Sequence, residues 1–111
     1  MDVPQYEKMM DAIIISVLTP SEEEALNIAN ALVKRHLAGA VNISKVRSVY
    51  YWKEKIYDRQ EWLLLIKTRK ERFEEIKTEV TKLHSYEVPE IVAFPIISAS
   101  DAYIEWLKEV T

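Results

Sequence analysis

The chain contains no cysteine, which excludes disulfides, thiolate nucleophiles, redox relays, Cys-type structural zinc and iron–sulfur ligation together. It contains one glycine, Gly39, so neither a phosphate-cradling glycine loop nor a dinucleotide fingerprint can be built. ATP or NAD chemistry of the familiar kinds is not expected. Long apolar runs are also missing: the longest, Ala12 to Leu18, is interrupted by Ser16 and falls far short of the roughly 20 residues of a membrane span. Asp2, Glu7 and Asp11 outnumber Lys8 ahead of that run and no small-x-small cleavage site follows, so no secretory leader is expected and the expected location is cytoplasmic. Basic surplus is lacking too. Fifteen Lys and Arg against eighteen Asp and Glu leave a net charge of -3, which disfavours a nucleic-acid partner. Neither nucleic acid nor membrane is an expected partner.

What is present is a globular balance, 49% apolar and 30% charged over 111 residues, enough for one domain with a core and too little for two. Ala12 to Thr19 is rich in β-branched residues and stopped by Pro20, a strand expected to be buried on both faces. Ser21 with Glu24 three residues on reads as a capping box, opening a helix with Ala25, Ile28, Ala29 and Leu32 on one stripe. That helix is expected to end near Leu37 or Ala38, beside Gly39. Ala40 to Glu54 reads as a long strand with a bulge near Ser44 to Arg47, followed by a polar turn at Lys53 to Lys55. Trp62 to Ile66 reads as its hairpin partner. Phe73, Ile76, Val80 and Leu83 mark a second helix within Thr68 to His84, and Ile91 to Ile97 a last strand whose Pro95 sits at an edge, a bulge or its end. Ser98 to Asp101 offers caps for a final short helix.

The order β-α-β-β-α-β plus a C-terminal helix predicts an α+β, ferredoxin-like split βαβ sandwich, an antiparallel sheet with both main helices on one face. The other face would then be a bare apolar surface larger than soluble monomers tolerate. A second copy of the chain is the simplest cover, so a homo-oligomer is expected. The domain is expected over residues 12–111, with residues 1–11 as an N-terminal extension.

The stretches SVLTPSEEEALNIANALVKRHLAGAVNI, RSVYYWKEKI, EWLLLIKT, LHSYEVPEI and AYIEWL, in that order and spacing, resemble the divalent-cation tolerance proteins of the CutA family, from about Ile13 to Val110. The resemblance implies a homotrimer similar in architecture to the PII signalling proteins, with extended hairpins clasping neighbouring subunits. It further implies binding of copper and other divalent metals, a role in metal tolerance, and no established reaction. Many members carry a Cys where this chain has Ala40, and often another near Val17 to Thr19, so thiolate-based copper binding is not open to it.

His84, Glu87 and Glu90 are the one place where an imidazole lies close in sequence to two carboxylates, a set able to ligate Cu(II) or a similar ion. The alternative is that His84 closes the second helix at its C-terminal dipole while Glu87 and Glu90 are solvated or paired with Lys or Arg. Tyr50, Tyr51, Trp52 and Trp62 form an aromatic group on the hairpin, read as interface anchors in preference to a ligand platform. Lys67 at a strand end either reaches solvent or meets an anion or a carboxylate such as Glu90 in a cleft between subunits, with Tyr51, Tyr86 and Glu90 as neighbours in a PII-like sensor. Met9 and Met10 make a poor Cu(I) site, and His36, between basic residues, reads as exposed. An enzyme with His84 as base and Glu90 orienting it lacks an activated nucleophile, so no catalytic activity and no required cofactor is expected.

Overall fold

The computed structural model describes residues 11–111, so Met9, Met10 and the extension expected over residues 1–11, Asp11 apart, lie outside the described residues. Strand β1 (Ala12–Thr19) leads into helix α1 (Glu22–Lys34), then β2 (Ala40–Trp52) and β3 (Lys55–Arg69). A 3-10 turn over Lys70–Arg72 opens helix α2 (Phe73–Leu83), followed by β4 (Ile91–Pro95) and helix α3 (Asp101–Val110). The four strands form one antiparallel sheet in the order β2-β3-β1-β4. This is the expected split βαβ arrangement.

Alternation decides which side chains meet the helices. Ile13, Ile15 and Val17 of β1 join Leu64 and Ile66 of β3 beneath Ala25, Ile28 and Leu32 of α1 and Ile76 and Val80 of α2, all fully or nearly fully buried. Each Ile, Leu and Val among them contributes about 1.5–3 kcal/mol by leaving water. The opposite face carries Ile14, Ser16 and Leu18 opposite Lys67, Leu65 and Leu63, with Phe94 and Val92 of β4 beside them. These strand residues are only half-buried or exposed, so the expectation of burial on both faces holds for one face in the single chain. The second face is not wholly bare either, because α3 sets Ile104 and Leu107 on Ala12 and covers that end.

Several local expectations are corrected. The β2–β3 ladder runs without interruption from Ala40 opposite Lys67 to Trp52 opposite Lys55, so there is no bulge at Ser44 to Arg47. The turn is the pair Lys53-Glu54, both at positive φ (50° and 62°), which matches the twist of a two-residue hairpin despite the absence of Gly or Asn. Helix α1 stops at Lys34 in a Schellman motif: Leu37 N–H donates to Leu32 O at 3.0 Å and His36 N–H to Val33 O at 3.1 Å. The left-handed residue there is His36 (φ 58°), not Gly39. Gly39 is small for a different reason, since a Cβ on it would stand 2.7 Å from Leu107 Cδ1 and 3.2 Å from the Trp106 ring. Ser21 caps α1 by accepting from Glu24 N–H at 3.1 Å, as expected, but the Glu24 carboxylate turns toward His84 instead of completing the capping box. Ser100 caps α3, accepting from Tyr103 N–H.

Beyond Thr19, where β1 ends opposite Trp62, the β2–β3 hairpin continues with no third strand. This overhang stretches the chain to 55 Å against 25 and 22 Å in the other directions. It also leaves one flank of the hairpin, Val49, Tyr51 and Ile56, about 70% exposed.

Candidate functional site

The foot of that overhang, on the face away from α1 and α2, meets the segment between α2 and β4 in a cleft of about 580 Å³. The hairpin supplies Tyr50, Trp52, Tyr57, Arg59 and Glu61, and the 84–90 segment supplies Tyr86, Glu87, Val88 and Glu90. The chain bends over Tyr86 to Val88 and Pro89 bars any continuation of α2, so the segment leads on to β4. Tyr50 and Tyr57 face one another across the ladder with ring centroids 5.2 Å apart and nearly parallel planes. The Arg59 guanidinium lies 4.7 Å from the Tyr57 centroid.

At the base of the cleft the carboxylate of Glu61 is 2% exposed and accepts the Tyr86 hydroxyl at 2.6 Å. Burial, and then Glu61, push the Tyr86 hydroxyl well above the ordinary tyrosine range, with Arg59 opposing weakly. Glu90 Oε2 accepts from Ser16 Oγ at 2.9 Å, and Glu87 pairs with Lys53 at 3.0 Å in an exposed bridge. Three carboxylates against the Arg59 guanidinium and the Lys53 ammonium that pairs with Glu87 leave the cleft acidic by one charge.

Behind this wall lies His84, whose side chain is fully buried. Its Nε2–H donates to the Leu18 carbonyl at 2.6 Å, and its Nδ1 accepts the Tyr86 main-chain N–H at 3.1 Å. A carbonyl can only accept and an N–H can only donate, so the imidazole is the neutral Nε2–H tautomer with no lone pair free. Glu24 Oε2 lies 3.5 Å from Nδ1 and, among the described residues, has no hydrogen-bond partner.

Of the three expected metal ligands, the structure therefore brings Glu87 and Glu90 to one cleft and places His84 behind it. Among the described residues no group of three or more His, Cys, Asp or Glu converges closely enough to hold a metal ion. The expected ligand trio Lys67, Tyr51 and Tyr86 is also dispersed within one chain. Lys67 stands six residues along β3 from Glu61, about 20 Å away, where its ammonium donates to Asn42 Oδ1 and burial lowers its pKa. Tyr51 is on the other face of the hairpin from Tyr50 and Trp52, 70% exposed. Trp62 leaves this aromatic group altogether and packs on the core beneath the helices. Glu61, Tyr57 and Arg59 were not singled out from sequence, although the period-two series 61, 63, 65, 67 sets Glu61 on the helix-free face.

A family model for the CutA1 divalent ion tolerance protein matches residues 13–110. The chain belongs to this family. The divalent-cation tolerance protein CutA of Thermus thermophilus is 45% identical over 99 residues, covering 88% of this chain and 96% of that one. The chloroplastic protein CutA of Arabidopsis thaliana is 41% identical over 108 residues, covering 96% of this chain, which spans only 59% of that relative's length. Among solved structures, the periplasmic divalent cation tolerance protein CutA of Archaeoglobus fulgidus superposes with a TM-score of 0.87 at 37% identity, covering 89% of this chain and 97% of that one. The family and the Thermus relative are named for tolerance to divalent ions and not for a reaction. No helix among the described residues is long and apolar enough to cross a membrane.

Proposed function

We propose that the chain assembles as a homotrimer and binds a divalent cation, Cu(II) or a similar ion, as its part in divalent cation tolerance. The observation that carries the assembly is the sheet face without α1 and α2, where Ile14, Leu18, Leu63 and Leu65 sit beside exposed Val92 and Phe94. Together with the flank of Val49, Tyr51 and Ile56, this is apolar surface that a soluble chain is expected to cover. Tyr50 and Trp52 on the same overhang are anchors for a neighbouring subunit in this reading.

Glu87 and Glu90 are the proposed carboxylate ligands, with further donors from an adjacent subunit because one chain lacks a converged set. His84 joins them only if its ring leaves Leu18 and Tyr86. The resulting oxygen-rich site has modest affinity for a borderline ion such as Cu(II), which prefers nitrogen and sulfur donors. The cytoplasmic location expected from the sequence belongs to this proposal, and relatives described as chloroplastic and periplasmic place the same fold in other compartments. An anionic metabolite at Lys67, Tyr51 and Tyr86, the PII-like alternative, gains less support from an acidic cleft and dispersed residues.

Light scattering and calorimetric titration with Cu(II) and Zn(II) test the two parts. A trimer mass and saturable binding weakened in Glu87→Gln and Glu90→Gln are expected. A mass near 13.0 kDa removes the assembly, and the absence of binding by the unmodified protein removes the metal.

A further inference from the structure

We propose that Arg69 and Arg72 form a carboxylate-binding site that takes the α-carboxylate of Thr111, the last residue of the sequence, and so latches α3 to the sheet. The inference is independent of the trimer and metal readings. Helix α3 has 10 residues, fewer than the roughly 12–15 an isolated helix needs to persist in water, so its docking decides whether it forms. Ile104 and Leu107 are its two buried side chains, set on Ala12 of β1 in a small cluster apart from the main core. Apolar contact is therefore a modest share of what holds it.

Thr111 closes α3 and is buried, 7% exposed. Arg69, the last residue of β3, donates its Nε–H to Thr111 Oγ1 at 2.9 Å and an Nη2–H to the Thr111 main-chain oxygen at 2.6 Å. Arg72, in the 3-10 turn, donates Nε–H to that same oxygen at 2.7 Å and an Nη2–H beside it. Two guanidiniums that repel one another thus converge on a single oxygen, an arrangement that a full negative charge there stabilises and a neutral carbonyl dipole offsets only in part. Their outward Nη1 groups pair with Glu71 at 2.6 Å and Glu75 at 3.1 Å, both more than half exposed, where such pairs contribute little. The inward groups are aimed at Thr111. A carboxylate just past a helix also meets the negative end of the helix dipole, and adjacent cations reverse that unfavourable pairing. Lys108 in the last turn adds to the two arginines. Because α3 sets Ile104 and Leu107 on Ala12 and Leu107 and Trp106 against Gly39, the latch governs the cover of that end of the sheet.

The test is hydrogen exchange of the α3 amides in the full chain, in whatever assembly it forms, with Thr111 ending either in its free carboxylate or in a carboxamide installed by ligation. The carboxamide keeps the size of the group and removes its charge. Exchange of α3 about tenfold faster in the amidated chain is expected, the worth of one charge-assisted hydrogen bond, with α1 and β1 unchanged. Arg72→Gln should speed α3 exchange about tenfold in the carboxylate chain and much less in the amidated one, and Arg69→Gln should do the same. A chain continued past Thr111 by Gly-Ser should exchange like the amide. Equal α3 exchange in the carboxylate and amidated chains overturns the proposal, even if the continued chain opens, since that would be a steric effect. Substitutions that act equally in both backgrounds overturn it too, because the arginines would then hold a neutral carbonyl just as well.

Discussion

His84 donates its Nε2–H to the main-chain carbonyl of Leu18 across 2.6 Å, tying the end of α2 to the end of β1. The same ring receives the Tyr86 N–H on its other nitrogen, so one side chain sets the path of the segment that walls the cleft. An imidazole spent on both sides is a structural element first. Tyr86, in turn, reaches Glu61 with its hydroxyl, and the buried carboxylate is held in place by a residue that His84 has positioned.

The first prediction concerns this anchor. His84→Ala leaves the Leu18 carbonyl and the Tyr86 N–H without their partner in a buried site, and should destabilise the fold by about 2–4 kcal/mol. His84→Gln, with one donor and one acceptor, should recover part of that. Urea unfolding midpoints of the three proteins check it, and equal midpoints for the wild type and the alanine variant would remove the anchoring role.

The second concerns alkaline pH. Burial and Glu61 make the folded state hold the Tyr86 proton more tightly than the unfolded chain, whose tyrosine titrates at its ordinary 10.0. The linked stability is therefore fully present below that pH and is lost as pH rises through the higher folded value. Tyr86→Phe should cost about 1–3 kcal/mol at neutral pH, because Glu61 loses its donor, and should flatten the alkaline decline. Denaturant melts between about pH 8 and pH 11 give both readings.

The third concerns His36. A non-glycine residue at φ 58° carries a local cost that glycine does not, so His36→Gly should stabilise the chain by about 1 kcal/mol. Its side chain is exposed, and little packing is lost. A fall in melting temperature would show that the imidazole makes a contribution larger than the backbone relief.

The fourth is its opposite. Gly39→Ala places a methyl group 2.7 Å from Leu107 Cδ1 and against the Trp106 ring, and should destabilise by about 1–3 kcal/mol through overpacking. Combining it with Leu107→Ala should cost less than the sum of the two single changes, since the second removes the clash. A double-mutant cycle measures that coupling.

Much of the fold was legible because burial imprints its period on sequence. Helix stripes such as Ala25, Ile28 and Leu32, the β-branched run of β1 and the serine caps are local, and each was readable from a handful of neighbouring residues. The role of the lone glycine was not legible, for the opposite reason. Its smallness answers to Leu107 and Trp106, nearly seventy residues away, while the helix end it seemed to mark is made by His36.

The candidate site divides along the same line. Sequence alone determined that thiolates take no part, that the only imidazole beside two carboxylates is at 84–90, and that aromatics gather on a long hairpin. Parity and depth came from the tertiary structure. Adjacent strand residues point to opposite faces, so Tyr51 parts from Tyr50 and Trp52, and Trp62 goes to the core. A lone pair on His84 is free or occupied according to whether Leu18 and Tyr86 come within hydrogen-bond range, and sixty-six residues separate His84 from Leu18 in the chain. Short-range periodicity carries no information about such a distance; the packing of α2 against the end of β1 does.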